Sequence, residues 1–149
     1  MNFKRLLLIG LILVAVAASL SVVSADSSVK VDGIDFNIPD GFSENKTLEQ
    51  NGVNTTYNNQ TPVQVFMKGF TNDNGAIVII VMEFNSPDDV KKVQDDLKQE
   101  INTTKTINGK EGVYEKDESG SASFTYGQDK CLIMVVSTDD SLLESIITK

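Results

Sequence analysis

The sequence predicts an α+β fold, with a mainly antiparallel sheet of about six to eight strands and two main helices packed on it. Short apolar segments follow one another and are separated by turn pairs such as Asp32-Gly33 and Asn108-Gly109. Strands joined by such short turns pair as antiparallel neighbours. Two other segments, near residues 87–101 and 138–149, repeat apolar residues at spacings of three and four, as amphipathic helices do.

The first predicted element of the domain is a hairpin. Apolar residues alternate with polar ones in residues 29–31 and again in residues 34–38, and Asp32-Gly33 lies between the two runs. This alternation is typical of strands with one buried face. The second strand ends at Pro39, because proline has no N–H to donate to a neighbouring strand.

A second hairpin is predicted around the turn Asn72-Asp73-Asn74-Gly75, whose Asn-Gly pair suits positive φ at both central positions. Its strands cover residues 63–71 and 76–84. Residues 76–82 are apolar at every position, and residues 131–136 show the same pattern. A strand with one solvent-exposed face would alternate apolar and polar residues. We therefore predict that these two strands form the centre of the sheet and are covered on both faces.

A helix is predicted over residues 87–101. Ser86 is a suitable cap, Pro87 suits the first helical position, and Asp88 and Asp89 lie at the positive end of the helix dipole. Apolar residues then recur along one stripe, which indicates that one side of the helix packs on the sheet.

The remaining elements are three strands and a second helix. Strands are predicted at residues 103–107, 112–116 and 121–126, since each run is bounded by turn residues. The second helix is predicted to start at residues 138–140 and to end near Lys149.

The N-terminus has the layout of a secretory signal. Lys4 and Arg5 precede the apolar stretch 6–18, and Val23-Ser24-Ala25 supplies small residues before Asp26. The positive-inside rule places the two basic residues in the cytoplasm and the domain outside. We therefore predict a secreted or cell-surface protein.

An uncleaved anchor is the alternative to cleavage. Apolar character continues to residue 23, so residues 6–23 have about the length that crosses a bilayer. The predicted organisation is residues 1–25 as a signal peptide or uncleaved anchor and residues 26–149 as one exported domain. Only the N-terminal segment, if it is not cleaved, is expected to contact the membrane.

We expect cleavage to leave Asp26 as the first residue of the mature protein, because small residues precede it at the cleavage position. Mass spectrometry of the native protein measures this directly. An intact Met1 found in the membrane fraction would show that the segment is an anchor instead.

Charge and residue types argue against several function classes. After residue 25 the chain carries 11 lysines, no arginine and 21 acidic residues, a net charge of −10. The whole chain has no histidine, the side chain most used for proton transfer near neutral pH and for binding transition metals. The exported part also lacks the planar guanidinium that grips phosphates. We predict no nucleic-acid binding, no cofactor and no catalytic residue.

Cys131 is the only cysteine, so the chain cannot form an internal disulfide. It opens one of the two apolar strands, where a small thiol packs like other apolar groups. A catalytic thiol needs a basic partner to lower its pKa, and the chain has no imidazole to provide one. We predict that Cys131 is buried and structural, and that Cys131→Ala leaves any activity intact.

Three acidic segments are considered as cation or catalytic sites. The first segment contains Asp73, the second contains Asp88, Asp89, Asp95 and Asp96, and the third contains Glu115, Asp117 and Glu118. The first resembles part of a calcium loop but lacks further ligands at the required spacing. The second forms an acidic helix face whose pairs Asp88 with Lys92 and Asp95 with Lys98 are ordinary surface charges. The third offers the paired carboxylates that glycoside hydrolysis uses. We predict no metal site from any of them.

Four sequons make asparagines candidates for N-glycosylation. Three of them lie in the polar stretch 43–62, which is predicted to be a loop with one weak strand at residues 53–57. The four asparagines are Asn45, Asn54, Asn59 and Asn102.

The order of three features resembles a known group of exported domains. The features are the opening segment Phe36–Phe42, a mid-chain helix that leads into Ile107–Gly112, and a late apolar strand followed by a terminal helix. This layout is similar to PsbP-like extracytoplasmic domains, to the DcrB lipoproteins and to small exported proteins of methanogenic archaea. The resemblance implies an antiparallel sheet with helices on its faces and a binding or accessory role. It carries over no catalytic residues, and the lipid-attachment cysteine of the DcrB pattern has no counterpart after the apolar stretch.

Two functions from different classes follow from these observations. The first is a non-enzymatic exported or cell-surface module that binds a protein or a cell-envelope ligand. The alternative is carboxylate-based divalent-cation binding or a weak hydrolase. A calcium titration followed by amide NMR separates them, because saturable shifts at Asp73, Asp88 or Asp89 favour the alternative.

Overall fold

A large antiparallel sheet forms the centre of the protein. The computed structural model describes residues 28–52 and 60–149. The strands are β1 (Ser28–Val31), β2 (Ile34–Asn37), β3 (Ser43–Glu44), β4 (Gln50–Gly52), β5 (Gln64–Asn72), β6 (Gly75–Glu83), β7 (Thr104–Ile107), β8 (Lys110–Lys116), β9 (Ala122–Gln128) and β10 (Cys131–Ser137). The helices are α1 (Pro87–Ile101) and α2 (Leu143–Ile146), and short 3-10 turns cover Lys46–Leu48 and Asp140–Leu142.

The strands form two sheets. β1 and β2 pair as a separate hairpin, as predicted around Asp32-Gly33. The other eight strands form one sheet in the order β3, β5, β6, β10, β9, β8, β7, and β4 also pairs with β5. The strand pairs of both sheets are antiparallel. The predicted antiparallel character is therefore confirmed.

β6 and β10 lie side by side in the middle of the large sheet, and both are covered on each face as predicted. Residues 76–82 and 132–136 are all buried. One face, which we call the helix face, carries Val78, Ile80, Met82, Leu132 and Met134 and is covered by α1 on the side of β8, β9 and β10 and by Leu48 of the first 3-10 turn over β5. The opposite face, which we call the hairpin face, carries Ile77, Ile79, Val81, Ile133 and Val135 and is covered by the β1–β2 hairpin and α2.

The predicted first helix is confirmed at both ends. The Ser86 hydroxyl accepts a hydrogen bond from the Asp89 backbone N–H at 3.2 Å, which satisfies one of the donors that a helix start leaves unpaired. Val90, Val93 and Leu97 are buried against the helix face. The buried stripe is therefore what fixes the helix on the sheet.

The predicted charge pairs along this helix are wrong. Lys92 lies 3.6 Å from Asp89 rather than pairing with Asp88. Lys98 lies 2.7 Å from Glu111 on β8 rather than pairing with Asp95. The sheet under the helix provides a carboxylate that helical spacing alone does not predict.

The predicted second helix is much shorter than expected. It ends at Ile146, because Ile147 is extended (φ −80°, ψ 119°) and forms a bridge with Phe36 of β2. The Asn108 side-chain amide donates hydrogen bonds to the carbonyls of Glu144 at 2.8 Å and Ile147 at 2.7 Å. A turn residue from another hairpin thus caps the helix, and this tertiary contact overrides the apolar spacing.

The hairpin around Asn72–Gly75 is confirmed, but the predicted backbone conformation is wrong. The register pairs Asn72 with Gly75, so Asp73 and Asn74 are the central residues. None of these residues is among those with positive φ. Gly75 instead provides space, since a Cβ built there would overlap the Thr138 hydroxyl. That hydroxyl accepts a hydrogen bond from the Ala76 N–H at 3.0 Å.

Two predicted segments lie outside the described residues. They are the signal peptide or anchor at residues 1–25 and the weak strand at residues 53–57. Within the two described ranges, neither helix combines the length and the apolar character that crossing a membrane requires.

Candidate binding edge

β7 lies at one edge of the large sheet. It pairs with β8 on one side, and no further strand of the described chain lies on its other side. Its first three residues, Thr104, Lys105 and Thr106, are exposed, whereas Ile107 is buried on the hairpin face. A sheet edge of this kind presents backbone donors and acceptors to solvent.

The register of the β7–β8 hairpin shows which backbone groups face outward. Ile107 pairs with Lys110 across the turn Asn108-Gly109, where both residues have positive φ (49° and 83°). The Tyr114 N–H donates to the Thr103 carbonyl at 2.9 Å. Hydrogen-bonded positions alternate along an antiparallel pair. Thr104 and Thr106 therefore direct their N–H and C=O groups away from β8, toward the open edge.

A cluster of polar side chains lies beside this edge on the hairpin face. We call it the Lys105 cluster, and it consists of Lys105, Tyr114, Lys116 and Asp140. The Lys105 Nζ lies 3.5 Å from the centre of the Tyr114 ring, a cation–π contact. The Tyr114 hydroxyl donates to Asp140 Oδ2 at 3.0 Å. Lys116 Nζ donates to the same oxygen at 2.8 Å.

The charges in this cluster are only partly balanced. The hydrogen bonds from Lys116 and then Tyr114 hold the pKa of Asp140 below its usual value. The hydrogen bond to Asp140 in turn raises the pKa of Lys116. Lys105 is in none of the ion pairs found in residues 28–52 and 60–149. Lys105 therefore acts on the Asp140 charge only from beyond salt-bridge distance, and the cluster holds two lysines against one carboxylate beside an open strand.

We expect the stability of the protein to fall as the pH drops through the lowered pKa of Asp140. A carboxylate with a depressed folded-state pKa stabilises the fold at pH values above its unfolded pKa of about 4, and protonation at lower pH removes this contribution. Asp140→Asn should therefore lower the midpoint of thermal unfolding at pH 7 more than at pH 3. Thermal melts at both pH values measure the difference.

Asp73→Asn is the matched control for this measurement, because Asp73 is an exposed carboxylate on the β5–β6 turn. It should lower the midpoint by little at either pH. An equal loss for Asp140→Asn at pH 7 and pH 3 would contradict a role for its charge.

The structure does not bring the three acidic segments together. Asp73 and Asp88 are exposed, and Asp89 is half-buried at the start of α1. Asp117 Oδ1 closes the β8–β9 loop by accepting hydrogen bonds from the Ser119 and Ser121 backbone N–H groups at 2.9 and 3.0 Å. The Ser119 contacts hold the pKa of Asp117 below its usual value. No three acidic or thiol side chains of the described residues converge closely enough to hold a metal ion.

The sequons lie in different environments. Asn45 is only 6% exposed, and its side-chain oxygen accepts hydrogen bonds from the Thr47 N–H and hydroxyl at 3.1 and 2.6 Å. Asn102 is exposed at the C-terminal end of α1, with φ 58°. Asn54 and Asn59 lie outside the described residues. Asn102 therefore offers more room for a glycan than Asn45.

Cys131 is half-buried, so the prediction that it is fully buried is wrong. It is the first residue of β10, at the end of the sheet, where cover is thinner than over residues 132–136. Its Sγ lies 3.9 Å from Asp32 Oδ2. Burial, followed by the charges of Asp32 and Glu83, raises the pKa of the Cys131 thiol to about 11. The thiol form thus dominates at neutral pH.

We expect Cys131 to react slowly with iodoacetamide at pH 7, because only the thiolate reacts. Raising the thiol pKa from 9.0 to about 11 lowers the thiolate fraction roughly a hundredfold. Asp32→Asn should speed labelling by removing a neighbouring negative charge. Labelling as fast in the native state as in denaturant would show that the thiolate is not suppressed.

The open edge was not predicted from the sequence. The strand pattern predicted β7 and β8 but not the order of strands in the sheet, which depends on long-range pairing. One signal could have indicated it, since a central lysine in a short threonine-rich strand is typical of edge strands. Comparisons with protein-family models, with curated proteins and with solved structures gave no match.

Proposed function

We propose that this protein is a non-enzymatic exported or cell-surface binding module, and that its partner adds an extended segment to the β7 edge. The observation that carries the proposal is the outward direction of the N–H and C=O groups of Thr104 and Thr106. Adding a strand to an exposed sheet edge is a recurring mode of peptide recognition. The signal-like layout of residues 1–25 supports export.

The two edges of the sheet differ in how open they are. On the side away from β7, the long strand β5 is paired with β3 at residues 70–71 and with β4 at residues 65–67. Covering a long strand with short ones is a common way to block further pairing. β7 has no such cover within the described residues, so it is the edge that a partner can reach.

The side chains around the edge favour binding over catalysis. Asp140 has a lowered pKa and is held by two donors, so it is a poor proton donor near neutral pH. The chain has no histidine to act in its place. These features support a non-enzymatic role. The resemblance to PsbP-like and DcrB-like domains stays a prediction.

Affinity capture from the native cell envelope with the wild-type domain and Thr106→Pro tests this function. Proline removes the outward N–H of residue 106 and leaves the β7–β8 hydrogen bonds in place, and edge strands tolerate it. We expect the captured proteins to be lost with Thr106→Pro.

Thr106→Val is the matched control, since it keeps the backbone N–H and removes only the hydroxyl. It should capture the same proteins as the wild type. Thermal melts of both variants verify folding. Equal capture by a folded Thr106→Pro variant would rule out the β7 edge as the binding surface.

A further inference from the structure

We infer that the segment received by the β7 edge is an extended peptide with an acidic residue opposite Lys105. This inference rests on the proposed function, because it names the chemistry of the partner for the same edge. It is carried by the direction of the backbone groups along β7 and by the position of Lys105 between Thr104 and Thr106.

The backbone of β7 sets the geometry of a docked strand. Thr104 and Thr106 each offer one N–H and one C=O outward, so an antiparallel segment can form hydrogen-bonded pairs at both positions. Lys105 lies between them and directs its own N–H and C=O toward β8. In such a complex Lys105 occupies a non-hydrogen-bonded pair, in which facing side chains are closest.

The positive charge of Lys105 favours a carboxylate at the facing position of the docked strand. Lys105 is in none of the ion pairs of the described residues. Lys110 lies on the same face of the β7–β8 pair as Lys105. Its Nζ donates a hydrogen bond to the uncharged Gln128 side chain at 3.0 Å. The segment 103–116 contains three lysines and two glutamates, so it is slightly basic within a strongly acidic domain. An acidic residue of the partner would therefore find two lysines on one face, neither of which is in an ion pair within the described residues.

A second copy of this chain is disfavoured as the occupant. The symmetric register that pairs Thr104 of one β7 strand with Thr106 of the other would place Lys105 directly opposite Lys105 of the other copy, and like charges in that position are destabilising. Each exported domain also carries a net charge of −10, which adds repulsion between copies.

The test uses three capped peptides in which a central Glu, Gln or Lys is flanked on each side by alternating Thr and Val. Amide NMR of the full domain follows the Thr104 and Thr106 N–H signals during titration. We expect the Glu peptide to shift both signals and to bind about two- to fivefold more tightly than the Lys peptide. Lys105→Glu should reverse this preference.

Lys91→Glu is the matched control, because it makes the same charge change on the exposed surface of α1. It should leave the peptide preference unchanged. A reversed preference in both variants would show that net charge, not Lys105, determines the choice, and would overturn the inference.

The remaining outcomes separate this inference from the proposed function. Shifts at Thr104 and Thr106 that are equal for the Glu and Lys peptides keep the binding edge and overturn the acidic partner. If no peptide binds, the acidic partner is also overturned, and the capture experiment with Thr106→Pro decides the function separately. Shifts that depend on protein concentration without peptide identify a second copy as the occupant. If dextran sulfate displaces the Glu peptide and the Thr104 and Thr106 amides show no protection from hydrogen exchange, the occupant is an anionic polysaccharide instead.

Discussion

Ile79→Asp is expected to abolish cooperative folding. Ile79 has no exposed surface and lies in the middle of β6, paired with Val135 of β10 and Lys68 of β5. A carboxylate there would be buried among apolar side chains of the hairpin face, and its cross-strand neighbour Lys68 is already ion-paired with Glu44 at 2.9 Å. This class of change often costs more than about 3 kcal/mol, a large part of the free energy of unfolding of a small domain. Circular dichroism and thermal melting measure the loss.

Two further variants separate this effect from a general intolerance of substitution. Ile79→Val removes one methylene and should cost about 0.5 to 1.5 kcal/mol. Val63→Asp makes a comparable change at a side chain that is 50% exposed, and it should leave the protein folded. An Ile79→Asp protein that melts cooperatively with an unchanged midpoint would show that β6 is not covered on this face.

Gly112→Val is expected to cause the second-largest loss of stability. A Cβ at this position would overlap the Thr125 backbone carbonyl and the Phe124 ring. Thr125 belongs to β9, which is paired on both sides by β8 and β10, so its carbonyl cannot move without disturbing the sheet. Overpacking of this kind costs about 1 to 3 kcal/mol. Urea denaturation gives the change in the free energy of unfolding.

Glu111→Val is the matched control for this substitution. Position 111 is the preceding residue of the same strand and is exposed, so a valine there faces solvent. Its ion pair with Lys98 is a solvent-exposed surface pair, which contributes little to stability. Similar losses for the two variants would show that β-branching in β8, rather than the contact with β9, causes the effect.

The parts of the fold that were predicted correctly have local signals. The start of α1 is encoded by Ser86 and Pro87, and its length follows from the apolar stripe. The central position of β6 follows from an unbroken apolar run, because only a strand covered on both faces tolerates one. Hydrogen bonding at a helix cap and burial of consecutive side chains depend on residues close together in the sequence. The sequence alone was therefore enough to predict these two elements.

The incorrect predictions depend on partners distant in sequence. The second helix ends early because Phe36 and Asn108 bind the residues that would have continued it. Cys131 is half-buried because it lies at the end of the sheet, which a strand pattern does not reveal. The Lys105 cluster joins residues from β7, β8 and the segment after β10. Spacing along the chain contains no information about such contacts.

The bridge between Phe36 and Ile147 has a consequence for how the chain folds during synthesis. It joins the first described hairpin to the last described turn, so the loop that it closes includes nearly the whole domain. Closing so long a loop is slow and must wait until both ends are available. A chain that emerges residue by residue from a ribosome therefore keeps the part of the hairpin face that α2 covers exposed until Ile147 has emerged. During that interval the chain needs protection from aggregation, which makes a chaperone most useful just before synthesis is complete.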